Sequence, residues 1–433
     1  MAEPYRVKPD ASFLREVLHH GGEELKNCYQ CATCSVACEL APDDRPFPRK
    51  EMIWAQWGLK DKLLADPDIW LCYGCGDCTV RCPRGARPGD VLAAVREHTV
   101  EHYAVPSFMG KLAGHPKNLF LMTLIPVILI LGLIAVFGDF QANVPDETLL
   151  KSLAEKKIAT DQQLETAKRA VAGTDKSLAD VLIQQGAMTP AQHQKILKEH
   201  DHVEYSFFLP HVPLILFFQI VTGLAALGAL IGVIRYWKAI NAQAKPGKRR
   251  SLVESAILAL KEVLTHNRFR SCIDRRSRAT SHLLVFYGFL GLFFVTGAVV
   301  VSKYIFHYYP IDWWHPLKWL GNISTVAMAI GLIMMIKDRS SGTGSNERSN
   351  PQDWMFLWLL SAVVITGAIV EVVRFADIAL AAYPFYVVHL VLVFMLLVYL
   401  PYSRFAHLIY RTVALVHAYH TGRENPAGAA SGR

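Results

Sequence analysis

The chain has 433 residues, 52% of them hydrophobic and only 19% charged, with a formal net charge of +8. A soluble domain carries roughly 25% charged residues, so this balance excludes a purely soluble protein. High apolar content without a glycine period also excludes a disordered chain and a collagen-like fibre. Eight of the nine cysteines fall between Cys28 and Cys82, and the ninth is Cys272. Clustering at metal-ligand spacing, after a start (MAEPYRVKPD) with no apolar core, reads as a metal site in a reducing compartment rather than a disulfide framework.

In chain order, the first element is a cysteine-rich head. Residues 28–38 read CYQCATCSVAC and residues 72–82 read CYGCGDCTVRC, followed by Pro83. Both are C-x2-C-x2-C-x3-C runs, in which three cysteines of a tight loop hold one four-iron cluster and the fourth reaches across to the other. The spacing assigns Cys28, Cys31, Cys34 and Cys82 to one cluster and Cys72, Cys75, Cys78 and Cys38 to the second. Zinc is the alternative for a single Cys-x2-Cys pair, and two complete runs argue against it. The first run departs from the pattern by ending Cys38-Glu39 instead of Cys-Pro. Between the runs, Ile53, Trp54, Trp57, Leu63 and Leu64 recur at helical spacing and are read as core. Cys272 is read as a structural thiol. Over roughly residues 10–100 this head resembles the C subunit of heterodisulfide reductase, most clearly in CYQCATCSVAC and LCYGCGDCTVRCP.

Six apolar segments of about 20 residues follow, each long enough to cross ~30 Å of hydrocarbon. They run over 119–138, 209–235, 282–301, 317–336, 354–373 and 384–402. The connection after the second span holds eleven Lys and Arg against three acids between Lys238 and Arg278, whereas 302–316 has only Lys303. This alternation places both termini and the basic loop in the cytoplasm. The charge is therefore a topology signal, and no nucleic-acid module is expected. The polar connection 139–208 is then external. It contains a repeat at an offset of 29 residues, matching Leu149, Leu153, Thr160 and Gln163 to Leu178, Leu182, Thr189 and Gln192. Each copy reads as two helices, the second capped by its threonine. The segment resembles the small helical repeat at the N-terminus of type II secretion ATPases and is read as an interaction or spacer domain.

Two axial imidazoles facing inward would hold a haem b in a helix bundle. His389 and His407 are 18 residues apart, five turns of a continuous helix, so both are expected on one face. Pro401 between them is expected to kink the helix rather than break it. The stretch HLVLVFMLLVYLPYSRFAH resembles the last span of the gamma subunit of respiratory nitrate reductase, which implies two stacked haems b. The stretch YGFLGLFFVTG resembles that family's second span, but its inner and outer ligand positions fall on Phe286 and Thr296, which cannot ligate iron. His282, one turn before Phe286, is expected to replace the inner ligand and pair with His407. His211 is the candidate partner of His389, ahead of His307 and His315. Glu371 and Arg374, one turn apart at the external end of the fifth span, are candidates for a quinol site, with the carboxylate accepting a proton.

The expected fold is mainly α: a cytoplasmic two-cluster ferredoxin-like head, a six-span transmembrane helix bundle and a small external helical insert. The expected domains are 1–110 (head), 111–138 (first span), 139–208 (insert), 209–410 (haem b bundle) and 411–433 (cytoplasmic tail). An iron–sulfur head fused to a haem b bundle resembles the fusion of heterodisulfide reductase C and E subunits, the arrangement of the C subunits of quinone-interacting membrane-bound oxidoreductases. That resemblance implies menaquinol as substrate, soluble flavin- and iron–sulfur-containing subunits as partners, adenylylsulfate reductase as electron acceptor and an inner-membrane location among lipid. The alternatives are a subunit of a sulfite-reductase-associated membrane complex and a non-catalytic anchor for a ferredoxin head.

Overall fold

The computed structural model describes residues 8–42, 46–138, 146–171, 177–199, 203, 205–244, 249–266, 276–308, 311–341 and 350–423. Cys272 lies outside them, as do the basic residues 245–248 and 267–275. Among the described residues every regular element is a helix. Six helices are long and apolar enough to cross a membrane, at 116–137, 211–242, 278–304, 316–340, 351–375 and 379–398. These match the six segments expected from hydropathy.

The chain divides into two compact units, the first formed by residues 1–123, 221–364 and 394–433, the second by 124–220 and 365–393. In the first unit the head begins with α1 (Ala11–His19), capped by the Asp10 carboxylate, which accepts from the Ser12 and Phe13 amides at 3.0 Å. Phe13 and Val17, one turn apart, are buried. Two short helices, α2 (Thr33–Val36) and α6 (Asp77–Val80), follow the two cysteine loops and pack on each other. Between them come α3 (Arg49–Gln56), α4 (Lys60–Leu64) and α5 (Asp68–Leu71). The helix α7 (Pro88–Tyr103), with Pro88 at its first turn, closes the core through Val91, Leu92 and Val95. Of the stripe expected between the cysteine runs, Leu63 and Leu64 are core, while Trp57 is 54% exposed.

The same core takes in distant segments. The second span, α15 (His211–Ala242), sends Tyr236 into it, fully buried, with its ring 5.3 Å from those of Tyr103 and Tyr410. Tyr410 belongs to the last helix, α21 (His407–His420), and stacks on Trp70 at 5.3 Å. Burying aromatic rings of this size contributes about 2–3 kcal/mol each. Residues 411–423, expected as a tail, thus include a helix built into the head. Two spans of this unit, α17 (Arg276–Tyr304) and α18 (Pro316–Ser340), approach closely. A Cβ at Gly288 would sit 2.8 Å from Met328, and one at Gly331 would sit 2.8 Å from the Ser281 carbonyl. Small residues replace the absent hydrophobic drive between helices in lipid with close packing.

In the second unit, α10 (Asp146–Glu155), α11 (Asp161–Val171), α12 (Leu178–Gln184) and α13 (Pro190–Glu199) form two helix pairs. Leu149, Leu153, Leu178 and Leu182 make a common core. The repeat has a physical cause: Thr160 with Gln163, and Thr189 with Gln192, form identical capping boxes. Each glutamine oxygen accepts from its threonine amide, at 2.9 and 2.8 Å, and each threonine hydroxyl accepts in return.

Candidate functional site

The two cysteine loops share one backbone pattern. The second and fourth residues after the first cysteine have positive φ in both, Gln30 (62°) and Ala32 (68°) in one, Gly74 (61°) and Gly76 (85°) in the other. This left-handed conformation bends each loop tightly, and it costs a non-glycine residue about 1–2 kcal/mol. Cys28 Sγ accepts from Gln30 Nε2 at 3.4 Å, Cys72 Sγ from the Gly74 amide at 3.4 Å and Cys82 Sγ from the Ala86 amide at 3.3 Å. Such donors stabilise thiolate charge and tune a cluster's potential.

Burial raises the Cys34, Cys38 and Cys78 thiols first, and neighbouring sulfurs raise them further. Cys34, pushed up to about 11, is repelled by Cys28 and Cys82. Cys38, pushed up to about 12, is repelled by Cys72 and Cys75. Cys78 is raised by Cys72, Cys75, Cys38 and Cys34. Exposed Cys31 goes the other way, lowered chiefly by its hydrogen bond with the Thr33 hydroxyl. Buried sulfurs gathered this closely suit a positively charged metal centre, so the donor set fits iron–sulfur ligation.

A buried carboxylate cluster lies behind the loops, unanticipated from the sequence. Glu51, Asp66 and Asp68 place oxygens within 4.8 Å of one another, all fully or nearly fully buried. Lys50 Nζ meets them at 3.2, 2.8 and 2.8 Å, and Arg423 pairs with Asp68. The lysine ammonium thus serves as the cation of the cluster. Burial, with repulsion from the two aspartates, pushes Glu51 well above the usual carboxylate range.

The structure brings His282 and His407 together, with ring centroids 6.4 Å apart. A bis-imidazole metal site sets its two nitrogens about 4 Å apart, twice a metal–nitrogen bond of about 2.0 Å, and the centroids a further ring radius out on each side. The centroid spacing is compatible with that value, with the ring planes at 75°. The His407 Nδ1 lies 2.8 Å from the Arg404 carbonyl, a partner that fixes the ring and leaves Nε2 as the ligand atom. His389 is held likewise, Nδ1 2.9 Å from Thr366 Oγ1, with Cε1 only 3.1 Å from where a Cβ of Gly367 would lie. These residues therefore fit haem ligation.

One expectation is corrected. His389 and His407 do not share a continuous helix: α20 (Ala379–Val398) ends before Pro401, two 3-10 turns (Leu400–Tyr402 and Arg404–Ala406) intervene, and His407 opens α21. Proline lacks the amide to continue the ladder, and the Ser403 hydroxyl, accepting from the Phe405 amide at 3.3 Å, fixes the new turn. The five-turn argument for a common face fails.

The remaining residues fall as follows. His211 is the half-buried first residue of α15. His315 is a helix cap, its Nδ1 accepting from the Leu317 amide at 3.2 Å. Glu371 and Arg374 lie half-buried in the last turns of α19 (Pro351–Phe375), where the Arg374 charge acts on Tyr205. The Tyr205 hydroxyl donates to the Val370 carbonyl at 2.8 Å, and its ring stacks on Tyr386 at 4.3 Å. Sequence reasoning missed His266, whose ring lies 5.0 Å from His282 and 5.2 Å from Phe286.

The 4Fe-4S dicluster domain model matches residues 24–86, and the model described as citrate utilization protein B matches residues 203–429, more than half of the chain. The chain belongs to the citrate utilization protein B family. Its head is similar to the C subunit of the H(2):CoB-CoM heterodisulfide,ferredoxin reductase from Methanothermobacter marburgensis, 35% identical over 116 residues, 24% of this chain and 60% of the relative. It is also similar to a protein of Archaeoglobus profundus described as like the heterodisulfide reductase C subunit, 41% identical over 88 residues, 20% of this chain and 47% of the relative. The chain thus spans about half the length of the curated relatives it matches. No solved structure shows a significant match. The family member described here joins an iron–sulfur head of the heterodisulfide reductase C type to six helices fit to cross a membrane.

Proposed function

We propose that the chain is the membrane electron-transfer subunit of a quinone-dependent oxidoreductase, oxidising menaquinol and passing electrons to cytoplasmic flavin- and iron–sulfur-containing subunits. Bound haem b and four-iron clusters would supply the single-electron chemistry. Cys28, Cys31, Cys34 and Cys82 hold one cluster, and Cys72, Cys75, Cys78 and Cys38 hold the other; the closeness of Cys82 to Cys34, and of Cys38 to Cys72 and Cys75, supports this crossing. His282 and His407 ligate the haem on the cytoplasmic side. His389, oriented by Thr366, ligates a second haem with His211. Glu371 takes the proton released as the quinol is oxidised, with Arg374 one turn away on the same helix. The basic connection between the second and third spans supports an inner-membrane orientation with both termini cytoplasmic.

The observation that carries the reading is the adjacent pair His282 and His407 in a chain that also presents eight cluster-type cysteines. Adenylylsulfate reductase is the acceptor that the resemblance of the fused head and bundle implies. The family description favours a second reading, in which the soluble partner acts on a tricarboxylic acid such as citrate. The test is reduction of the haem by a menaquinol analogue in the purified chain. Reduction in the wild type and its loss in His407→Ala support a relay; equal cluster content without any haem absorption leaves only an anchor.

A further inference from the structure

The two cysteine loops meet different surroundings. The second loop is gripped by residues that flank the candidate haem ligands. Arg411, one turn after His407, sits over the Tyr73 ring at 3.4 Å. Arg278, one turn before His282, donates from Nη1 to the Gly74 carbonyl at 3.4 Å. Residues four apart on a helix share a face, so both arginines extend the faces that carry the imidazoles. The Tyr73 hydroxyl donates to Glu262 at 3.0 Å, and Tyr419 of α21 donates to the other oxygen of that carboxylate at 3.1 Å. Arg96 anchors the Cys72 carbonyl at 3.0 Å.

The first loop is held from within the head and opens outward. Gln56 donates to the Cys28 carbonyl at 2.9 Å and Gln30 donates to Gln56 at 3.1 Å. Cys31 is exposed, Tyr29 is 70% exposed and Val36 is 87% exposed. Arg84 lies over the Tyr29 ring at 4.3 Å.

We infer that the two clusters act in a fixed order: the cluster on the Cys72–Cys78 loop is the inner relay beside His282 and His407, and the cluster on the Cys28–Cys34 loop is the outward one that meets the soluble partner. Arg278, Arg411 and Tyr73 are positioning residues for the inner transfer. The inference rests on the relay reading above. For each electron leaving, a ferrous haem iron becomes ferric, each cluster is reduced and then reoxidised by one electron, and the external acceptor gains one. Arg278 and Arg411 add positive charge beside the inner loop, which favours its reduced state, whereas the outward loop has Arg84 over its Tyr29 ring.

The test uses the full chain in vesicles, pre-reduced, with oxidised cytochrome c added only on the side of the head as a one-electron acceptor. Haem oxidation is followed by absorption and cluster oxidation by rapid-freeze electron paramagnetic resonance. In Cys75→Ser the haem should stay reduced, at least ten-fold slower than wild type, while the remaining cluster oxidises at the wild-type rate. In Cys31→Ser the remaining cluster and the haem should lag together. The opposite pattern overturns the order. Arg278→Gln and Arg411→Gln keep every ligand, so they serve where the serine variants do not accumulate. They should lower the inner cluster's midpoint and shift its resonance, slow haem oxidation several-fold and leave the outward cluster's signal in place. A shift confined to the outward cluster, or none, overturns the assignment of positioning residues. Absence of any haem band overturns the underlying relay reading and is read independently of the order.

Discussion

Replacing Lys50 by methionine should destabilise the head strongly, and the structure sets the magnitude. Lys50 Nζ lies 2.8 Å from both Asp66 and Asp68, and 3.2 Å from Glu51. At an effective dielectric of about 20, each 2.8 Å contact is worth about 6 kcal/mol before desolvation is subtracted. Burial opposes the Lys50 charge, yet the carboxylates outweigh it and hold the ammonium above its usual range. Without it, Asp66 faces Asp68, and Arg423 pairs with Asp68. The least costly response is protonation of Asp66, which at pH 7 costs about 4 kcal/mol relative to an ordinary aspartate. Breaking a buried pair typically costs about 3–5 kcal/mol, in agreement. The assay is thermal loss of cluster absorbance in the purified chain, with an expected fall of more than about 10 °C. The sign of the pH effect follows. A carboxylate raised in the folded state is favoured by acid, so the defect of Lys50→Met should shrink as pH falls from 7 to 5. Glu51→Gln should be milder than Lys50→Met, because burial and the two aspartates already disfavour the Glu51 charge. A loss below about 1 kcal/mol for Lys50→Met, or the same loss at both pH values, would refute the closed cluster.

Three further variants address the cofactor sites and the topology. Cys38→Ser should perturb the cluster of Cys72, Cys75 and Cys78, whose sulfurs are its neighbours; damage confined to the cluster of Cys28, Cys31 and Cys34 rejects the crossing. Gly367→Val should press on the His389 ring and remove one haem with its quinol-dependent reduction, leaving the haem of His282 and His407; full haem content in that variant rejects His389 as a ligand. A cysteine at the exposed position of Gln184 should react with an impermeant thiol reagent on intact cells, above the background of the native cysteines. Labelling only after lysis reverses the orientation.

What the sequence revealed follows from how local each signal is. The spans are legible because about 20 apolar residues have few other uses, and the insert because each Thr-x-x-Gln box closes on itself within four residues. The cysteine loops are legible because their spacing carries the geometry. Sequence could not show that α21 dives into the head, since Tyr410 meets Trp70 across more than 300 residues. It could not show the break before His407 either: a proline in a membrane helix usually bends it, and here Ser403 and the 3-10 turns complete the break. Arg278 and Arg411 each look like any basic residue near a span end, and only the fold places both on one cysteine loop. Glu51, Asp66 and Asp68 read as ordinary surface acids until Lys50 is seen among them.

The central claim, that one chain carries both a two-cluster head and a haem b relay, is tested most directly by cofactor stoichiometry in the fully loaded, purified protein. Non-haem iron analysis with a pyridine haemochrome assay should give about eight irons and two haems b per chain. His282→Ala and His407→Ala should each lose the same haem. One haem per eight irons contradicts the two-haem account and returns His389 to the role of a packed bundle residue, and no haem at all contradicts the relay.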